Sequence, residues 1–529
     1  MPAEPKQMDA TASPEALQNL GQLLRQRASQ APDKHFLFSE IDGRKFSYTE
    51  FESAVDRVSF MLAARGVDKG DVVSLLMPNS AEYIIAYFAC WKLGAIAGPI
   101  NSLLKAQEMS YVISDSETRT LLVHPDFLPT IETIKSGLPG LREIITFDDE
   151  EEATKDFNGE PSAAGSTNPN LSAVTSSGIH LESDAIIIYT SGTSGKPKGC
   201  LLTHGNLIAN ARQISQWLGF TRDDRLLTIM PLFHMNAVSV TTMSALSAGG
   251  SSVVSPKFSA SRFWQIISDY QITSFGSVAT MLSMLLTTYP DGVPKGLKTD
   301  QLRFAMCGSA PVPAEVMKRF EETFNCLVIE GYGLSESTCR STFNPPDERR
   351  RPGSCGKPIG NEMRVVDDDD KEVADGQLGE IVLRGENILK GYYRNPAATA
   401  TAFRNGWFHT GDVGYRDAEG FFFIVDRKSD MIIRGGENIY PREIDEVLYQ
   451  HPAVAAAATI GVPDQLYGEE VAAFIVLKEG GEATEEEIVA FCRARLADYK
   501  CPKTVRFVKE IPKGPTGKLL KRELRESTD

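Results

Sequence analysis

Three consecutive isoleucines, Ile186 to Ile188, run through Tyr189 into Thr190-Ser191-Gly192-Thr193-Ser194-Gly195-Lys196-Pro197-Lys198-Gly199. This stretch holds three glycines, three hydroxyl side chains beyond Thr190 and two lysines. Glycines let backbone N–H groups come close to an anion, and hydroxyls and ammonium groups complete a cradle for a polyphosphate. The plainer reading is a polar turn between a strand and a helix. A Walker loop is excluded, because that motif follows its glycine-lysine pair with Ser or Thr and enters a helix, whereas Pro197 follows Lys196 here. A proline blocks a helix from starting just after the lysine. Phosphates would then rest on a loop and not on a helix dipole, which argues against a kinase or P-loop NTPase.

The loop resembles the phosphate-binding signature of the adenylate-forming superfamily, which includes acyl-CoA synthetases, aryl-CoA ligases, nonribosomal adenylation domains and beetle luciferases. Five further signatures follow in the family's order: Gly331-Tyr332-Gly333-Leu334-Ser335-Glu336, Gly406 to Asp412 (GWFHTGD), Asp426-Arg427-Lys428, Arg434-Gly435-Gly436-Glu437-Asn438 and Pro515-Thr516-Gly517-Lys518. The resemblance runs from about residue 20 to the end of the chain. One glycine-rich loop would be weak evidence; the ordered set is specific.

The resemblance implies roles for matching positions. Thr193 would contact phosphate and Glu336 would help hold Mg²⁺, with Thr190, Ser191, Gly192, Ser194, Gly195 and Lys198 completing the cradle. Asp412 would accept hydrogen bonds from the ribose hydroxyls, and Arg427 would help bind the nucleotide. Gly308-Ser309-Ala310 and Glu330-Gly331-Tyr332 would sandwich adenine, with Gly333 and Ser335 in the same nucleotide-binding run. Lys518 would neutralise charge as the carboxylate attacks the α-phosphate. For the second half-reaction the small domain would rotate, and Gly435, Gly436 and Glu437 would line the path of the coenzyme A thiol. His234, in Pro231-Leu232-Phe233-His234-Met235-Asn236, would lie beside the carboxylate and gate that path. Out of context, Glu336 would be a solvated loop glutamate, Asp412 a turn residue, Lys518 a surface lysine and His234 a hydrogen-bonded core residue. The hinge position, commonly Asp or Lys in relatives, is Ser429 here, which leaves the pivot in doubt.

The implied reaction is carboxylate plus ATP to acyl-AMP and pyrophosphate, then acyl-AMP plus coenzyme A to acyl-CoA and AMP. The acyl pocket would be built from 235–243, 275–284 and 306–310. These carry Met235, Val238, Met243, Phe275, Val278, Met281 and Met306, and no Lys or Arg. An apolar lining of that kind favours an uncharged acyl tail. Met235 and Asn236 stand where the amino-acid-activating branch would carry an aspartate. The stretch from Pro231 through Trp264 is more similar to fatty-acyl and crotonobetaine/carnitine-type CoA ligases than to aryl-CoA ligases. An aryl-acid ligase, an adenylation enzyme loading a carrier protein and a luciferase-like oxygenase stay open. So does a non-catalytic acyl-nucleotide binding protein, although Lys518, Glu336 and Thr193 are all present.

The elements that must position these residues can be read from periodicity. Thr49 and Glu52 make a capping-box pattern, followed by Phe51, Val55, Val58 and Leu62 at helical spacing and a stop at Gly66. A strand at 72–77, a helix at 80–93 and a strand at 95–99 form a βαβ unit, which requires a parallel sheet covered by helices. The acidic and Ser/Ala/Gly-rich run 148–182 reads as a long surface loop, and residues 1–16 as a fraying terminus. Strand–helix alternation resumes at Ala185 and gives way near 365 to a β-leaning segment with strands at 380–384 and 421–426. Pro441 opens a helix, strands follow at 453–460 and 471–477, and Thr484 with Glu487 caps another helix. The prediction is an α/β protein. A large domain over 17–428 has parallel-rich sheets, flanking helices and a β-leaning subdomain; a small mobile α+β domain covers 429–529.

Composition agrees with that size. A chain of 529 residues exceeds what one core supports, so at least two domains are expected. Its net charge of −15 argues against a nucleic-acid binder but not against a small anionic ligand in a basic cleft. The eight cysteines include no C-x-x-C pair and no zinc-ligand spacing, and read as reduced thiols. No signal peptide and no run approaching ~20 apolar residues is visible, so a cytoplasmic protein without a membrane span is expected. Oligomeric state is open, a homodimer among the options.

Overall fold

The computed structural model describes residues 17–146, 178–190, 196–308, 312–512 and 519–526. The expectations for 1–16 and for most of 148–182 lie outside these residues, as do Ser191 to Gly195, Ser309, Ala310 and Lys518.

Two seven-stranded sheets form the large N-terminal part. In one, the strand order is 327–330, 304–307, 274–277, 225–228, 251–254, 35–39 and 45–47; in the other it is 391–392, 198–203, 184–190, 96–99, 72–76, 120–123 and 143–146. Most neighbours are parallel, and the predicted βαβ unit is present as Val72–Leu76, Ala81–Leu93 and Ile96–Pro99. The alternation expected from 185 breaks at its first step: Asp184–Thr190 turns back antiparallel as Lys198–Thr203, so the glycine-rich loop is a hairpin loop and not a strand-to-helix turn. Pro197 and the strand-favouring run after it explain why.

Helix Ala81–Leu93 ties the two sheets together. Twelve of its thirteen residues are buried, as a helix enclosed between layers requires. Trp91 Nε1 donates to the carbonyl of Ala185, anchoring the strand that leads into the hairpin loop (2.9 Å). Tyr87 Oη donates to Leu232 O (2.7 Å), and just ahead of the helix Asn79 donates to Met230 O (2.8 Å) and accepts from Leu232 N (2.7 Å). Together they fix the segment that carries His234.

The capping box at the start of the preceding helix lies two residues earlier than the spacing suggested. The helix is Tyr48–Ala64, and Ser47 with Glu50 forms the box. Ser47 Oγ accepts from Glu50 N (3.2 Å) and Glu50 Oε2 accepts from Ser47 N (2.7 Å). Tyr48 decides the register: fully buried, it donates its hydroxyl to Gly250 O (2.8 Å). The stop beside Gly66 holds, with φ +81° there.

Beyond residue 360 an antiparallel sheet joins 362–366, 379–384, 407–416 and 403–404, with 422–427 pairing to 407–416. The C-terminal α+β unit has its own sheet, 437–439, 432–434, 468–477 and 454–464, with 504–507 parallel to 468–477. Its α-helices are Pro441–Tyr449, Glu485–Arg493 and Lys521–Glu526, and the Thr484–Glu487 box is present. It packs its own core around Ile432, Ile444, Leu448, Val471 and Ile488. No helix of the described residues is long and apolar enough to cross a membrane.

Candidate active site

Among the described residues, members of three motifs meet: Asp412, Tyr332 with Glu336, and Arg427. Asp412 sits in the long strand Trp407–Arg416, just after Gly411, whose φ of +71° turns the chain. The turn is locked by Thr410 Oγ1, which donates to Ile381 O (2.8 Å) and accepts from Asp412 N (3.0 Å). Asp412, 3% exposed, accepts from Tyr332 Oη (2.5 Å) and pairs with Arg427 Nε (3.1 Å). Burial opposes the charge on Arg427, but Asp412, then Tyr332 and Glu336, outweigh it and hold the guanidinium above its ordinary pKa. Burial, then Asp412, pushes the Tyr332 phenol up, so it stays a neutral donor.

Glu336 comes from the same 331–336 segment. Its carboxylate accepts from Tyr392 Oη (3.1 Å), and Lys198 Nζ lies 5.4 Å from the Tyr392 ring centroid. Cys200, on the return strand of the hairpin, is pushed well up by burial and then by Glu336, and contacts Thr190 Oγ1 (3.7 Å). The hairpin stem, the 331–336 segment, the 391–392 strand, Asp412 and Arg427 thus converge on one place. Tyr392 and Cys200 carried no spacing signal; only the pairing of 391–392 with the hairpin brings them in.

Glycines make the strand ends passable. A Cβ on Gly331 would lie 2.5 Å from Phe343 Cδ1, and one on Gly333 would lie 2.0 Å from Cys339 O. Glu330 accepts from Gly353 N (3.1 Å); burial raises its carboxyl to about 7. Gly435 and Gly436, with φ +59° and +90°, form the turn between 432–434 and 437–439. Lys428 pairs with Asp368 (3.0 Å) and Glu380 (3.4 Å). Asp426 accepts from Arg442 N (2.9 Å), joining the last strand of the large part to the first helix of the C-terminal unit.

His234 leads into Asn236–Met243, which winds as a π-helix with Thr242 Oγ1 bonded to Ala237 O (2.9 Å) and Ser244 Oγ to Ser239 O (2.8 Å). Such irregular turns recur at functional sites. His234 Nε2 is buried without a hydrogen-bond partner among the described residues, and burial lowers the imidazole pKa to about 4. Met235, Val238, Met243, Val278 and Met306 are buried in one core with Met281 partly buried against it, whereas Phe275 belongs to a second core and packs on Phe263, ring centroids 4.9 Å apart. A fourth segment, 339–343, lies against Gly308 and is joined to the π-helix through Asn210; it brings a buried cation, Arg340, close to these segments.

Two family models match the chain: one described as AMP-binding enzyme, over residues 24–393, and one as AMP-binding enzyme C-terminal domain, over 443–518. The chain is 38% identical to a sulfoacetate–CoA ligase of Cupriavidus necator, over 98% of this chain and 99% of the other. It is 36% identical to the long-chain-fatty-acid–CoA ligase FadD13 of Mycobacterium tuberculosis, over 96% and 98%. Among solved structures it matches ATP-bound MatB from Rhodopseudomonas palustris with a TM-score of 0.87 at 31% identity, over 96% of this chain and 99% of that one. Against apo MatB the TM-score is 0.75, with the same coverage and identity.

Proposed function

We infer the division of labour from one premise: the chain belongs to the AMP-binding enzyme family and is an AMP-forming acyl-CoA synthetase. The observation that carries the reading is the convergence of Asp412, Tyr332, Arg427 and Glu336, drawn from three separate motifs, beside the stem of the glycine-rich hairpin.

We assign Asp412 to the ribose hydroxyls, since a buried carboxylate already oriented by Tyr332 and Arg427 is a ready acceptor. Arg427 lies between Asp412 and Glu336 and suits the nucleotide's anionic side. The hairpin loop, Thr190 through Lys198, takes the β- and γ-phosphates. Gly308 and the 330–332 segment flank adenine, with Gly333 and Ser335 alongside. Glu336, whose carboxylate is engaged by the neutral Tyr392 and Cys200, would hold Mg²⁺ with Thr193. Among the described residues no group of three or more metal-ligating side chains occurs, so phosphate oxygens and water would complete the shell. When bound, the ion neutralises phosphate charge.

Lys518 approaches the α-phosphate as the carboxylate attacks, by charge stabilisation. We place the domain boundary at 428/429, with rotation there exchanging Lys518 for Gly435, Gly436 and Glu437 at the thiol path. The better match to ATP-bound than to apo MatB supports reading this arrangement as the adenylating one. Neutral His234 stands beside the carboxylate. The acyl lining supports an aliphatic acid, although the relatives' names range from sulfoacetate to long-chain fatty acids. The test is pyrophosphate release across a panel of acids with and without coenzyme A. Acid-dependent release accelerated by coenzyme A supports the assignment; release indifferent to it would point to a carrier protein as acceptor.

A further inference from the structure

Arg340 is among the largest fully buried side chains of the protein, 2% exposed, yet its Nε and Nη2 have no hydrogen-bond partner among the described residues. Leaving a buried guanidinium uncompensated is costly, so its position calls for an anion. No carboxylate supplies one: Arg340 makes no ion pair among the described residues, Glu330 is bonded to Gly353 N, and the nearby thiols of Cys307 and Cys339 are pushed up by burial and stay neutral. Its ring neighbour is Phe343, 5.4 Å from the guanidinium carbon.

The guanidinium occupies the space that a side chain at 308 would take: a Cβ there would meet Nη2 at 2.5 Å and Gly331 O at 2.8 Å. Gly308 follows the strand two residues after Met306, and Met306 is the ladder partner of Gly276. A Cβ on Gly276 would in turn meet Asn236 Oδ1 at 2.9 Å. Asn210 joins the two sides, donating to Arg340 O (2.7 Å) and accepting from Ser239 Oγ (2.9 Å) on the π-helix. Both amide atoms of Asn236 and Nε2 of His234 are likewise buried and unpartnered. Among the described residues, five buried polar atoms of Arg340, Asn236 and His234 therefore stand without a partner in and beside the acyl-pocket segments. A hydrocarbon tail would leave every one of them so.

We propose that Arg340 binds a second anionic group on the acid, making the substrate class short aliphatic carboxylates that carry a further carboxylate or sulfonate. The proposal rests on the ligase reading and deepens it. The aliphatic part lies along Val238, Val278 and Met306, the guanidinium fork takes the far anion, and Asn236 completes its hydrogen bonds. The reacting carboxylate is left free for the α-phosphate.

The test compares isosteric pairs by kcat/KM for pyrophosphate release: malonate against acetoacetate, and succinate against 4-oxopentanoate, with 3-sulfopropanoate as the sulfonate arm. The wild type should favour the dianion of each pair by about 100-fold or more, as expected where buried donors would otherwise go unpaired. Arg340→Met, close in length and uncharged, should erase that preference while retaining ATP binding by calorimetry; Arg340→Lys should restore part of it. Carboxylate over sulfonate, or the reverse, names the anion within the class. A wild type indifferent to the second charge, or an Arg340→Met variant that keeps the preference, overturns the assignment to Arg340. If Arg340→Met loses ATP binding, the wild-type ratios and Arg340→Lys decide alone. No release with any acid, alkanoates included, would overturn the ligase reading and this inference with it.

Discussion

Asp412 holds Tyr332 and Arg427 at once, so its substitution separates charge from shape. Asp412→Asn keeps the volume and one acceptor but removes the charge facing Arg427, and pyrophosphate release should fall roughly 100-fold, mainly through weaker ATP binding. Tyr332→Phe removes one donor and should cost about tenfold; a Phe variant worse than the Asn variant would contradict the order of importance. His234 allows a sharper statement. Burial lowers its pKa to about 4, below the ordinary value of 6.5, so the ring is neutral throughout pH 5.5–8. The adenylation rate should then show no limb near pH 6.5 that disappears in His234→Asn. Such a limb would mean that the ring titrates at work.

Among the elements, the strand ends 304–308 and 327–331 govern the site. Gly331→Ala would press a methyl to within 2.5 Å of Phe343 and should destabilise the fold by about 1–3 kcal/mol and displace Tyr332. Glu330 makes these ends pH-dependent. Burial raises its pKa from 4.5 to about 7, so the folded state binds this proton more tightly than the unfolded chain. Its contribution is complete below pH 4.5 and is lost as pH rises to about 7. Glu330→Gln should therefore gain stability relative to wild type from pH 5 to pH 8, by on the order of 3 kcal/mol, in urea unfolding. Equal slopes for the two proteins would remove Glu330 from the account. The βαβ unit and the C-terminal helices were legible because apolar period, proline and capping residues agree there. The Ser47 box was not, since Thr49 and Glu52 offer the same spacing and only the burial of Tyr48 chooses between them. Asp412, Arg427 and Glu336 were legible as motif residues. Tyr392 beside Glu336 and Arg340 beside Gly308 were not, because each meets its neighbour through a long-range contact that no local pattern encodes.

At the scale of the molecule, the two units meet, among the described residues, at Asp426, which accepts from Arg442 N, and at Arg442, which donates to Ile424 O. The rotation proposed at this boundary would serve two half-reactions. Lys518→Ala should abolish acyl-AMP formation yet spare thioester formation from supplied acyl-AMP. Gly436→Val should do the reverse, because its φ of +90° suits no β-branched residue and the turn is the one we assign to the thiol path. The most direct test of the central claim is pyrophosphate release by the intact chain, measured with ATP and an acid panel in the presence and absence of coenzyme A. Release that requires an acid, accelerates with coenzyme A and yields AMP and the acyl-CoA in equal amounts is the predicted result. Absence of pyrophosphate with every acid, despite measurable ATP binding, would contradict it.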